Sequence, residues 1–97
     1  MDEEERIAVR LEISGRVQGV WFRKWTETEV RARGLDGWVR NRSDGSVEAL
    51  VCGRDAVVRE MIGKCHEGPP LAQVTAIAEH PAELLPAGSG FEQKPTA

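Results

Sequence analysis

Strand-like and helix-like segments alternate along the chain in the order βαββαβ, which predicts an α+β sandwich of one sheet and two helices. Three observations carry that order: a period-two apolar run near the N-terminus, an Asp-Gly dipeptide between two strand-like runs, and apolar residues at i, i+3, i+4 and i+7 after them. A chain of 97 residues suits one domain with one core.

In the first strand, Arg6 to Ile13, the apolar Ile7, Val9, Leu11 and Ile13 alternate with Ala8, Arg10 and Glu12, the period of a strand with one buried face. The stretch Ser14-Gly15-Arg16-Val17-Gln18-Gly19-Val20 breaks the period and reads as a loop. Trp21 to Arg33 then runs without Gly or Pro and reads as a helix, with Phe22, Thr26 and Val30 on one face and Gly34 as its C-terminal cap. Glu29 and Arg33 fall close to that face. Leu35 to Asn41 reads as the second strand and Ser46 to Cys52 as the third, joined through Asp44-Gly45, a hairpin signal because Gly accepts the positive φ of a tight turn. Val58, Met61, Ile62 and Cys65 place the second helix over Asp55 to Cys65, and Gly68-Pro69-Pro70 ends it. Leu71 to Glu79 is the fourth strand. After a Pro/Gly-rich loop, Phe91 to Lys94 can add a short, frayed fifth. Two right-handed βαβ crossovers joined by the hairpin give the ferredoxin-like arrangement, a four-stranded antiparallel sheet with both helices on one face. Residues 6–94 form the single domain, with an acidic disordered tail at 1–5 and a tail at 95–97.

Charge and composition narrow the function. The net charge is -3, but residues 1–5 hold four acids and no base, while residues 6–45 hold nine bases against five acids. The acidic total argues against nucleic acid, and the open sheet face lacks an aromatic RNA-binding run. It does not oppose a small anion held locally. Cys52 and Cys65, with twelve residues between them and no further thiol, support neither a zinc site nor a disulfide scaffold, and read as buried thiols, with one bridge open to them if oxidised. No apolar run nears the ~18 residues of a membrane span, and the acidic start is unlike a signal peptide. The expectation is a cytoplasmic monomer with no membrane or nucleic-acid partner.

The loop between the first strand and first helix is where chemistry concentrates. Gly15 and Gly19 let the backbone turn N-H groups inward, the helix N-terminus adds unpaired donors, and Arg23 in the first turn can bind two oxygens of one anion. That suits a phosphoryl group. The same spacing equally fits a tight connection with two structural glycines and a solvated Arg. No nucleotide-binding spacing is present, since neither G-x-x-x-x-G-K-[ST] nor G-x-G-x-x-G occurs here. His66, near the end of the second helix, and His80, placed after the fourth strand, read as solvated end residues rather than catalysts. Trp25 and Trp38 read as core or edge packing, Trp21 as either packing or an apolar rim. The arginines at 31, 33, 40 and 42 read as solvated faces that raise the local potential.

Gly15-Arg16-Val17-Gln18-Gly19-Val20-Trp21-Phe22-Arg23 resembles the G-x-V-Q-G-V-x-F-R signature of the acylphosphatases. Gly34-Leu35-Asp36-Gly37-Trp38-Val39-Arg40-Asn41 and Asp44-Gly45-Ser46-Val47 are similar to that family's second motif, and Gly68-Pro69-Pro70 also fits. The resemblance covers residues 7–80. It implies hydrolysis of acyl phosphates to carboxylate and phosphate, with no metal or other cofactor. The backbone of Gly15, Arg16, Val17, Gln18, Gly19 and Val20 with the guanidinium of Arg23 would hold the phosphate, and Asn41 would orient the attacking water. A carboxylate leaves readily, so positioning and charge stabilisation can suffice. No His, Asp or Glu lies within the first motif to act as a base, leaving a phosphate oxygen to accept the proton. The rival reading is a non-catalytic ferredoxin-like module that binds a phosphorylated or anionic ligand.

Overall fold

The computed structural model describes residues 5–97. The elements are β1 (Arg6–Arg16), α1 (Phe22–Ala32), β2 (Asp36–Asn41), β3 (Val47–Arg54), α2 (Asp55–Glu67), β4 (Gln73–Pro81) and β5 (Phe91–Gln93). They form one sheet in the order β4-β1-β3-β2-β5, the ferredoxin-like arrangement with a fifth strand on the β2 edge. The four-stranded expectation is thus extended. β5 pairs parallel to β2, so the sheet is mixed rather than wholly antiparallel.

The period-two pattern of β1 seats Val9, Leu11 and Ile13 in the main core. Opposite them stand Phe22 and Val30 of α1 and Val58, Met61, Ile62 and Cys65 of α2, so both helices cover the same sheet face. Phe22 meets Trp25 edge-on, with ring centroids 5.4 Å apart. Central β3 is buried from Val47 to Gly53, because its second face is covered too. There Ala8, Leu50 and Cys52 pack with Trp38, Ala82 and Leu85. Cys52 and Cys65 therefore belong to packing clusters on opposite sides of the sheet, and both are free thiols. A bridge between them does not fit this fold.

Several boundaries move for identifiable reasons. β1 continues past Ile13 to Arg16 through a bulge between Ser14 and Gly15, because β4 offers pairing partners as far as Gln73. The loop to α1 is shorter than expected for that reason. β4 itself runs to Pro81, which puts His80 inside the strand, its Nε2 3.5 Å from Glu12 Oε1. α1 ends where Gly34 takes φ 68, with Leu35 N donating to Val30 O and Gly34 N to Arg31 O. In the β2–β3 hairpin, Gly45 takes φ 93 and the Asp44 carboxylate accepts from Ser46 N and Oγ at 2.9 and 2.6 Å, which holds its pKa below the usual range.

Residues 1–4 of the acidic stretch lie outside the described residues, and the carbonyl of Glu5 accepts from Asp55 N at the start of α2. At the other end, residues 95–97 run beside β2: Lys94 N donates to Val39 O, Ala97 N to Asn41 O and Ser43 N to Ala97 O. Arg33, out of pattern on its helix face, is accommodated by Glu29 at 2.7 Å and Glu60 at 2.9 Å. The arginines at 31, 40 and 42 are likewise paired, with Glu27, Glu48 and Glu12. Their charge is largely neutralised locally rather than available to a ligand.

Candidate active site

The segment between β1 and α1 crosses the sheet end beside the hairpin. Val17 and Val20 are buried in the core, and these two anchors fix the backbone between them. Gln18 is held from the other side, its Nε2 donating to Arg42 O and Ser46 O, both at 2.8 Å. That side chain ties the loop to the residue directly after Asn41. Gly19, at φ 73 with open space where a Cβ would stand, turns the chain toward the helix. Among the described residues, no N-H from Gln18 to Phe22 donates to a protein acceptor. Consecutive unpaired donors leading into a helix N-terminus favour an anion.

These residues border a cleft of about 600 Å³ lined by Val17, Gly19, Trp21, Phe22, Arg23, Lys24, Asn41 and Gln93. The fold thus brings Arg23, from the first turn of α1, and Asn41, from the end of β2, to one cavity. Arg23 is half-buried, and among the described residues its guanidinium makes no ion pair or hydrogen bond to protein. Most arginines here are paired. An unpaired guanidinium in a cleft is available to a ligand.

Not every expected member of the loop reaches the cavity. Gly15 and Arg16 belong to β1, where they pair with Val74 and Gln73. At Gly15, φ is 119 and a Cβ would collide with the Gln73 carbonyl, so the absent side chain serves the approach of β1 to β4. Gly15 borders a separate depression with Ser14, Asp44, Gly45 and Ser46.

Three lining residues escaped the sequence reading or were left open by it. Lys24 follows Arg23 directly and sits 3.6 Å from Glu27. Gln93 comes from β5 and donates to Glu27 Oε1 at 2.9 Å. Its polarity at a strand position was the available signal. Glu27 is mostly buried, and its carboxyl is held below the usual range by the Gln93 hydrogen bond and by Arg31, against the opposing effect of desolvation. Trp21, the open case, is 77% exposed at the cleft. Neither histidine lines it, and among the described residues no group of three or more His, Cys, Asp or Glu is placed to hold a metal.

Comparison with known proteins shows the family and the fold. The family model described as Acylphosphatase matches residues 9–93. An acylphosphatase of Rhizorhabdus wittichii is 50% identical over 95 residues, covering 98% of this chain and 95% of its own. One of Acidiphilium cryptum is 53% identical over 90 residues, with 93% and 98% covered. The crystal structure of acylphosphatase from Bacillus subtilis superposes with a TM-score of 0.85 at 34% identity, covering 91% of this chain and 98% of that one.

Proposed function

Since the chain belongs to the acylphosphatase family and is an enzyme that hydrolyses acyl phosphates, we propose that it does so in the cleft between the β1–α1 loop and the end of β2. Arg23 and the unpaired N-H groups from Gln18 onward bind the phosphoryl oxygens. Asn41 orients the attacking water through its amide, which offers a donor and an acceptor and does not titrate. The observation that carries this reading is the unpaired, half-buried Arg23 guanidinium facing the same cavity as Asn41 and Gly19.

The chemistry asks little more of the protein. As water attacks phosphorus, charge builds on the equatorial oxygens and on the departing carboxylate, and fixed donors stabilise the first of these. The water proton passes to a phosphate oxygen, a step consistent with the lack of His, Asp or Glu among the cleft-lining residues. The reaction runs without a metal or other cofactor, on a monomer in the cytoplasm, with no nucleic-acid or membrane partner. No helix among the described residues is long and apolar enough to cross a membrane. The pH profile of kcat with acetyl phosphate tests the proton assignment. A flat profile from about pH 5.5 to 8 is expected, whereas a step at a His-like ionisation would contradict it.

A further inference from the structure

Gln93 closes the β5 side of the cleft with an amide whose two ends have different surroundings. Its Nε2 donates to Glu27 Oε1 at 2.9 Å. Glu27 is mostly buried, lies 2.9 Å from Arg31 and 3.6 Å from Lys24, and is kept ionised at neutral pH chiefly by the Gln93 hydrogen bond and by Arg31. A carboxylate only accepts, so it dictates which end of the Gln93 amide turns toward α1. The other end, Oε1, accepts no hydrogen bond from protein among the described residues. In the ladder Gln93 stands opposite Val39, and Asn41 shares the Val39 face two residues on. The two amide side chains thus border one cavity from neighbouring strands.

We propose that Gln93 Oε1 is the acceptor that, together with Asn41, fixes the attacking water. The proposal rests on the cleft being the site of acyl phosphate hydrolysis. A water in line for attack directs one lone pair at phosphorus and gives one proton to a phosphate oxygen, which leaves its second lone pair and second O-H to be oriented. The Asn41 amide carries a donor and an acceptor, but they diverge from one carbon, so straight hydrogen bonds to a single water use one of them. With Asn41 Nδ2 donating to the lone pair, the remaining O-H needs an acceptor. Among the side chains lining the cleft, Arg23, Lys24 and Trp21 only donate, and Val17 and Phe22 do neither, so Gln93 is the one besides Asn41 that accepts. As the water oxygen bonds to phosphorus, the bond from phosphorus to the acyl oxygen breaks and its electron pair leaves on the carboxylate. One water proton passes to a phosphate oxygen, and the other stays on the new hydroxyl, held by Gln93.

The experiment measures kcat with acetyl phosphate and the inhibition constant of inorganic phosphate in the full chain, for wild type, Gln93→Met and Gln93→Glu, from pH 4 to 8. Gln93→Met keeps the length of the side chain and removes the acceptor, so kcat should fall about five- to tenfold, the scale of one hydrogen bond to the reacting water. Phosphate inhibition should stay within about twofold, since Arg23 and the N-H cradle are untouched. Gln93→Glu places an ionisable acceptor against the same water. Its kcat relative to wild type should rise with pH through one carboxyl ionisation, at about 4.3 or above, because Glu27 disfavours a second charge there and Lys24 and Arg31 offset this only in part. A role confined to packing α1 against β5 would add no such limb. Wild-type kcat in Gln93→Met, equal loss of kcat and of phosphate inhibition, or a Gln93→Glu profile parallel to wild type each overturns the proposal. Arg23→Ala and Asn41→Ala, run alongside, test the site separately: wild-type turnover in both would remove the cleft reading, whereas loss there with wild-type kcat in Gln93→Met would remove the Gln93 role alone.

Discussion

Gln93 of β5 donates to Glu27 of α1 at 2.9 Å, across 66 positions of sequence, and this contact joins the edge strand to the helix that carries Arg23. It explains why a carboxylate tolerates burial on the inner side of α1 and why a polar residue stands in a strand. Gln93 also lines the cleft, so the same contact forms part of its wall.

Replacing Gln93 by Ala should therefore cost about 1–2 kcal/mol at neutral pH, the scale of a hydrogen bond to a charged group. Because the native carboxyl of Glu27 titrates below its ordinary value, its contribution is present above the unfolded pKa and lost as pH falls through the native one. Urea denaturation of both proteins from pH 7 to 3 should show a stability gap that narrows below about pH 4. A gap independent of pH would contradict this account of Glu27.

The two loop glycines should behave differently when changed to Ala. At Gly15 the new methyl meets backbone of Gln73 and Thr75, which cannot yield without breaking the β1–β4 ladder, so a loss of about 2–4 kcal/mol is expected. At Gly19 nothing stands in the way, and only the positive φ of 73 is penalised, by about 1 kcal/mol. Thermal midpoints of the two variants measure the difference. Equal losses would mean that the close approach at Gly15 is not what requires glycine.

The two bonds of Gln18 fasten the loop to the hairpin that follows Asn41, and in the proposed site it serves as a positioning residue. Gln18→Ala should lower kcat about tenfold, while inhibition by inorganic phosphate weakens less than threefold, because the N-H cradle and Arg23 remain. The comparison of kcat with the phosphate inhibition constant checks it. Equal loss of both would place Gln18 in phosphate binding instead.

Both thiols should resist alkylation in the native state. Burial pushes Cys65 up to about 12, and Cys52 is fully enclosed under Leu85, whose N-H points to its sulfur at 3.3 Å. Iodoacetamide at pH 8 should label neither until denaturant is added. Rapid labelling of native protein would contradict the enclosed cores on both sheet faces.

Much of this fold is legible from local pattern. Ile7 to Ile13 alternate with the strand period, Val58 to Cys65 repeat with the helix period, and Asp44-Gly45 marks the hairpin, each a property of neighbours in sequence. The remainder depends on partners far along the chain. The extension of β1 through Gly15 and Arg16 needs β4, and the placement of β5 parallel to β2 needs the 82–90 loop. That loop is fastened by Asp36, which accepts from Gly88 N and Gly90 N and pairs with Arg6 at 3.2 Å. At the site, Arg23, Gly19 and Asn41 stood out in the motifs. Lys24 and Gln93 did not, because their place in the cleft follows from the packing of α1 against β5. The left-handed turn at Trp21 was equally hidden, since nothing about Trp favours it.

In the proposed site, Arg23 supplies charge stabilisation and Asn41 water orientation within one cleft. Release of inorganic phosphate from acetyl phosphate by wild type, Arg23→Ala and Asn41→Ala tests that assignment most directly, with circular dichroism to verify folding. Both variants should fold and lose at least about 100-fold in turnover, the scale of removing one preorganised donor. Folded variants that turn over at the wild-type rate would contradict it.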